Sequence, residues 1–173
     1  MTEQEKKELQ ERVKSVIERV NHAAVQAGRD PSEITLVAAT KMNDAERVQA
    51  AIEAGIRVCG ENRVQELQEK YEQNAYDGAD LQFIGTLQTN KVKYLIGKVS
   101  LIQSVGSVHL GEAIAKEAEK RGVCQDILLE VNIGREAAKS GLPPEELHDA
   151  IVKIERKKSR FYPWIDGNSS RCG

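Results

Sequence analysis

The chain has 173 residues, and its 25 lysines and arginines nearly balance 27 aspartates and glutamates, which leaves a formal net charge of -2. This balance supplies no basic surface for nucleic acid, and an aromatic content of 4% argues against stacking on bases. The N-terminus is charged and polar, and no apolar run approaches membrane-spanning length. We therefore expect a cytoplasmic protein with no nucleic-acid or membrane partner.

The length suits one well-buried core, and no linker composition divides the chain. Three cysteines are odd in number and lack the spacing of metal ligands, so reduced thiols and no metal site are expected. Cys59 and Cys124 are predicted to fill the core.

The first predicted element is a helix that follows Thr2. Thr2 and Glu5 have the spacing of a capping box, and Gly28 is placed to end the helix. Apolar residues recur at helical spacing at Leu9, Val13, Val16, Ile17, Val20 and Ala24.

An apolar run over residues 34–40 then ends abruptly at Lys41. Its length and β-branched content predict a strand buried on both faces. A lysine at the end of such a strand lies where the protein wall meets a pocket. Burial of an amine favours its neutral form, which can attack an aldehyde. The alternative is a lysine that extends its ammonium group to solvent from a strand end.

Four further strands are predicted over residues 56–60, 81–84, 101–105 and 127–132. Helices separate them. Asn43 or Asp44 caps the helix before the second strand, and Gly55 ends that helix. The later helices carry their apolar faces on Val64, Leu67 and Tyr71; on Val92, Leu95 and Ile96; on Leu110, Ile114 and Ala118; and on Leu147, Ile151 and Ile154.

Turn and cap residues bound the last two helices. Ser107 is placed to cap the helix after the fourth strand, and Gly122 to end it. Pro143 or Pro144 opens the final helix, because proline suits a first helical turn.

Strands that alternate with helices predict an α/β fold with parallel strands. A doubly wound open sheet and a (β/α)8 barrel both fit, but no G-x-G-x-x-G follows the first strand, which weakens the dinucleotide-binding version. In a barrel, functional residues lie at the C-terminal ends of the strands. Polar residues collect at these ends, at Lys41, Glu61, Asn62, residues 85–90, Ser104 and Asn132, and this pattern predicts a site.

Five blocks of sequence, in order, resemble the pyridoxal 5′-phosphate homeostasis proteins of the YggS/PROSC type. The blocks are residues 36–41 (Leu-Val-Ala-Ala-Thr-Lys), 60–67 (Gly-Glu-Asn-Arg-Val-Gln-Glu-Leu), 83–91 (Phe-Ile-Gly-Thr-Leu-Gln-Thr-Asn-Lys), 103–107 (Gln-Ser-Val-Gly-Ser), and 131–133 (Val-Asn-Ile) with 139–141 (Lys-Ser-Gly). Thr40 stands where the family usually has serine, and Gln103 and Gly106 replace a more usual histidine and aspartate.

The resemblance implies a barrel like the N-terminal domain of alanine racemase, with pyridoxal 5′-phosphate held as a Schiff base on Lys41. It further implies cofactor-binding roles for Asn62, Gly85, Gln88, Asn90, Ser104, Asn132 and Lys139. Alternative structural roles stay open for some of these residues. Asn62 and Asn90 also suit helix capping, Glu61 suits a first helical turn, and Lys139 suits a solvated loop.

The resemblance ends near Glu155. Only five strands can be counted, whereas a complete barrel has eight strands and takes about 250 residues. We therefore expect a partial barrel domain over residues 1–155 and an aberrant or disordered tail over residues 156–173. The family's phosphate loop would belong to the missing units, so weakened phosphate binding is expected.

Three functions remain open at this point. The first is a non-catalytic carrier of pyridoxal phosphate that takes part in its homeostasis and passes it to dependent apoenzymes. The second is a racemase-like or decarboxylase-like enzyme, for which Tyr71, Tyr76, Tyr94 and Tyr162 offer no convincing opposing acid or base. The third is an inactive truncated fragment.

Overall fold

This computed structural model describes residues 1–135 and 140–155, which contain five strands and five α-helices. The strands alternate with helices, and the helix between the third and fourth strands is a 3-10 helix. The strands are β1 (Val37–Ala39), β2 (Val58–Glu61), β3 (Asp80–Phe83), β4 (Leu101–Val105) and β5 (Asp126–Leu129). They form one sheet in the order β1-β2-β3-β4-β5, and the pairs with a defined register are parallel. The predicted α/β fold with parallel strands is confirmed. Each strand lies beside its neighbours in sequence, which is the winding of a (β/α)8 barrel, whereas a doubly wound sheet reverses its strand order.

The chain divides into two compact units, of which the first is Met1–Leu81. It contains α1 (Glu3–Gln26), α2 (Ala45–Glu53) and α3 (Val64–Glu72) together with β1 and β2. The predicted capping box is present, because Thr2 Oγ1 accepts from Glu5 N and the Glu5 carboxylate accepts from Thr2 N. Asp44 rather than Asn43 caps α2, through a bond from Arg47 N to Asp44 Oδ1 of 2.9 Å.

The first strand is less buried than its sequence predicts. Val37 and Ala38 are half-buried, Ala39 is exposed, and Lys41 is exposed as well. Within the described residues β1 pairs only with β2, at one edge of the sheet. A parallel strand reaches full burial only when both of its neighbours and both faces are covered. The expectation of a doubly buried strand and a buried Lys41 is therefore wrong.

The second unit begins at Gln82 and contains α4 (Val108–Arg121) and α5 (Leu147–Glu155). Ser107 caps α4 by accepting from Leu110 N, and Gly122 ends it in the left-handed region with φ of 66°. Pro143 and Pro144 precede α5 through a short 3-10 turn over Pro144–Glu146. Buried Phe83, Ile102, Val105, Ile114 and Ile154 contribute to the apolar interior of this unit.

The helix expected after the third strand is a 3-10 helix over Thr89–Tyr94. The segment is short, since Gly97 turns the chain with φ of 79°. The Arg121 guanidinium of α4 donates to the carbonyl of Ile96 at 2.9 Å and also to the carbonyl of Lys93. Because a side chain satisfies these carbonyls, the segment does not need a longer α-helix to satisfy them.

Three further expectations are corrected. Tyr71 is exposed on α3, whereas Lys70 beside it is buried. Cys124 is exposed and does not fill the core, although Cys59 does. The fifth strand ends at Leu129, and Val131 then pairs with Leu142 in an isolated parallel bridge.

Lys139 and the predicted tail over residues 156–173 lie outside the described residues. The described helices include none with the length and apolarity needed to cross a membrane.

Candidate functional site

Lys41 lies just beyond the carboxyl end of β1, as its sequence predicts. The ladder between β1 and β2 continues one residue past the strand, because Thr40 N donates to Gly60 O at 3.0 Å. Lys41 and Asn62 are therefore the next residues along two adjacent strands. The chain turns sharply at Met42, whose φ of 61° is unusual for a residue with a side chain.

A buried carboxylate lies beside this strand end. The Glu61 side chain has 0% exposure, and its Oε1 atom accepts from Lys70 Nζ at 2.6 Å, Thr40 Oγ1 at 2.7 Å and Tyr76 OH at 3.1 Å. Burial, and then the negative charge of Glu61, raise the pKa of Tyr76 far above its usual value. The Tyr76 phenol therefore stays protonated and serves as a hydrogen-bond donor.

The Lys70 ammonium connects this carboxylate to the main chain next to Lys41. Lys70 is 5% exposed, and its Nζ atom also donates to Thr40 O at 2.7 Å and to Glu66 Oε1 at 2.9 Å. Glu66 Oε1 in turn accepts from Met42 N. Helix α3 thus holds the peptide groups on both sides of Lys41.

The neighbours of Glu66 also set its protonation state. Partial burial acts to raise the pKa of Glu66, but hydrogen bonds from Lys70 and from Met42 N, together with the charge of Lys70, outweigh it. The pKa of Glu66 is therefore below its usual value, and the carboxylate stays ionised near neutral pH.

Two buried side-chain oxygens of the described residues have no hydrogen-bond partner: Glu61 Oε2 and Asn62 Oδ1. The alternative role of Asn62 as a helix cap is not realised, because Arg63 occupies the cap of α3 and makes no side-chain cap bond. A buried polar atom without a partner is uncommon and marks a place where a ligand group can donate a hydrogen bond. Asn62 therefore stays a candidate binding residue.

In the second unit, the structure brings some of the predicted residues together and leaves others exposed. Ser104 Oγ donates to the carbonyl of Gly85. Gln88 and Asn90 are exposed. Gln88 is at the N-cap of the 3-10 helix and makes no side-chain cap bond, whereas Asn90 lies within the helix and not at its cap. Asn132 N donates to Leu142 O at 2.9 Å, which joins the chain after β5 to the residues that lead into α5.

Sequence analysis did not assign Lys70, Glu66 or Tyr76 to the surroundings of Lys41. A signal for two of them was present, because Glu66 and Lys70 have the i,i+4 spacing of an ion pair and Lys70 lies three residues after buried Leu67. No comparable signal marked Tyr76. The described residues contain no cluster of three or more metal-ligating side chains of the His, Cys, Asp or Glu type.

Comparison with known proteins identifies the family. The sequence model of the family called alanine racemase, N-terminal domain, matches residues 14–162 of this chain. The chain belongs to this family. Its curated relatives include a pyridoxal phosphate homeostasis protein of Aquifex aeolicus, 45% identical over 141 residues, which make up 80% of this chain and 61% of the relative. The chain thus spans less than two thirds of that protein's length.

Solved structures agree with the fold. An unknown protein from Bifidobacterium adolescentis superposes with a TM-score of 0.84 at 34% identity, over 94% of this chain and 70% of that one. PipY of Synechococcus elongatus, solved with PLP bound, gives a TM-score of 0.68 at 26% identity, over 83% of this chain and 66% of that one. The resemblance seen in the five sequence blocks is thereby confirmed.

Proposed function

We propose that this chain holds pyridoxal 5′-phosphate covalently on Lys41 and takes part in the homeostasis of this cofactor without catalysing amino-acid chemistry. The observation that carries the proposal is the exposed lysine at the carboxyl end of β1, with its flanking peptide groups held by the buried Lys70 and the partly buried Glu66. The name of the A. aeolicus relative and the PLP-bound structure of PipY support the choice of ligand.

The residues fit such a group. The cofactor supplies an aldehyde, which condenses with an amine and otherwise reacts with stray amines in the cell. Lys41 supplies an accessible amine, and Asn62 Oδ1 supplies a buried acceptor that no protein group uses. Lysine is the side chain suited to this covalent attachment.

The remaining cofactor contacts stay proposals. They are Gly85, Gln88, Asn90, Ser104, Asn132 and Lys139, each to be tested by single substitution. We propose that the chain is cytoplasmic and passes the cofactor to PLP-dependent apoenzymes. As a carrier it would protect the aldehyde from other amines until the transfer.

A non-catalytic role is supported by the tyrosines. Racemisation needs a second acid or base on the opposite face of the cofactor ring. Tyr76 is buried and donates to Glu61, and burial raises its pKa. Tyr94 has Lys91 and Lys93 near its ring, and Tyr71 is exposed on α3. Tyr162 lies outside the described residues. General acid–base catalysis contributes about 10²- to 10⁴-fold, so without it we expect only the slow background of the cofactor.

Borohydride reduction tests the attachment. Pyridoxal phosphate added to the protein should produce a visible absorption band, and peptide mapping after reduction should place the adduct on Lys41. Lys41→Ala should abolish both signals, whereas Lys91→Ala, a matched loss of one amine, should keep them. An adduct found chiefly on Lys91 or Lys139 would contradict the proposal.

A further inference from the structure

The side chain of Lys41 is exposed, so its placement depends on its main chain. Strand β1 ends at Ala39, and the last ladder bond donates from Thr40 N. Beyond this point the sheet no longer holds the chain. The next peptide groups are free to turn unless other atoms hold them.

Two side chains of α3 hold these peptide groups. Lys70 Nζ donates to the carbonyl of Thr40, on the N-terminal side of Lys41, at 2.7 Å. Glu66 Oε1 accepts from the amide of Met42, on its C-terminal side. Lys70 and Glu66 are themselves joined at 2.9 Å. A single pair of side chains therefore grips both sides of one residue.

Burial makes this grip stiff. Lys70 Nζ is also joined at 2.6 Å to Glu61, whose carboxylate is fully buried. Removing one partner from a buried ion pair leaves an uncompensated charge, which is strongly unfavourable. Hydroxyl donors from Thr40 and Tyr76 hold Glu61 in place from other directions.

The backbone of Met42 has an unusual conformation that needs such bonds to hold it. A φ of 61° places Met42 in the left-handed region, which a residue with a side chain rarely adopts. Such a conformation persists only where surrounding bonds enforce it. The bond from Met42 N to Glu66 is one of these bonds, and Asn43 N to Thr40 O at 3.2 Å is another.

We infer that Glu66 and Lys70, supported by Glu61, form a clamp that fixes the main chain of Lys41 and sets the position from which its amine meets an aldehyde. These are positioning residues, since they act through Lys41. The inference rests on the proposed function for its chemical purpose, but the clamp itself is a property of the cofactor-free protein.

Glu66→Ala is the variant that opens the clamp with least damage, because Glu66 is only partly buried while Glu61 and Lys70 are buried. Glu66→Gln keeps an acceptor oxygen and serves as the conservative rescue. Glu72→Ala removes the same charge from an exposed position of α3 and is the matched control.

The first readout is hydrogen exchange of the Met42 amide in the cofactor-free protein, followed by NMR. We expect Glu66→Ala to speed this exchange about tenfold, which corresponds to about 1.4 kcal/mol, because the Met42 amide loses a hydrogen bond to a charged group. Glu66→Gln should restore most of the protection. Unchanged exchange in Glu66→Ala would overturn the clamp.

The second readout is the affinity for pyridoxal phosphate and the position of its visible absorption band. Glu66→Ala should weaken attachment of the cofactor about tenfold and shift the absorption band. Its thermal unfolding midpoint should stay close to that of Glu72→Ala. Faster Met42 exchange with unaltered attachment would overturn the positioning role. If the unmodified protein itself attaches no cofactor on Lys41, the proposed function fails, and Met42 exchange alone still decides the clamp.

Discussion

At the scale of single residues, the core near the candidate site combines a thiol with a buried carboxylate. Cys59 has 0% exposure and lies two residues before Glu61 on β2. Burial, followed by the charge of Glu61, raises the pKa of the Cys59 thiol from 9.0 to about 11. The folded protein therefore holds this proton more tightly than the unfolded chain does.

This difference predicts a loss of stability at high pH. The thiol contributes stability that is fully present below the unfolded pKa and is lost as the pH rises from about 9 toward about 11. Between pH 8 and pH 10 the free energy of unfolding of the natural protein, measured against Cys59→Ala by urea denaturation, should fall by about 1 kcal/mol.

Val58→Ala is the control for that measurement, because it truncates a buried, non-titrating neighbour on the same strand. Its difference from the natural protein should stay constant over the same pH range. A constant difference for Cys59→Ala as well would show that the thiol does not titrate differently in the folded state.

At the scale of elements, α4 and α5 approach closely at Gly111. A Cβ atom on Gly111 would lie 2.5 Å from Ile154 Cδ1 and 2.9 Å from Ile154 Cγ1. Ile154 is almost fully buried, so its side chain has little room to move away. Glycine within α4 therefore follows from packing against α5 and not from a turn.

Gly111→Ala should destabilise the protein by about 1 kcal/mol. Overpacking costs about 1–3 kcal/mol, and the better helix propensity of alanine returns up to about 1 kcal/mol. Adding Ile154→Val, which removes the nearest atom, should recover part of the loss in a double-mutant cycle followed by urea denaturation. A net gain in stability from Gly111→Ala alone would mean that α5 shifts freely.

At the scale of the whole molecule, the sheet has edges. Within the described residues β1 and β5 end the strand order, and Ala39 on β1 is exposed. An edge strand presents unpaired peptide groups that can pair with another chain. A net charge of -2 provides little electrostatic repulsion between copies.

We therefore expect this chain to self-associate as its concentration rises, as measured by sedimentation velocity. A lysine on an edge strand opposes such pairing, so Ala39→Lys should reduce association. Ala23→Lys makes the same change at an exposed position of α1 and should associate as the natural chain does. Equal association of the two variants would exclude pairing through β1.

Much of the fold could be predicted from local sequence. The capping box at Thr2, the cap at Ser107, the end of α4 at Gly122 and the bounds of β4 all agree with the structure. Each of these features depends on residues within a few positions of one another, where spacing and side-chain type suffice. The same is true of Lys41 at the end of a strand, although its role as a cofactor residue stays a proposal.

Only the tertiary structure decided which polar and apolar groups are buried. Lys70 and Tyr76 look like ordinary surface residues of a helix and a loop, yet both are buried against Glu61. Val37, Ala38 and Cys124 look like core residues, yet the first two are half-buried at a sheet edge and the third is exposed. Burial of a charged or polar side chain depends on partners distant in sequence that compensate its loss of water, and the local pattern does not contain them.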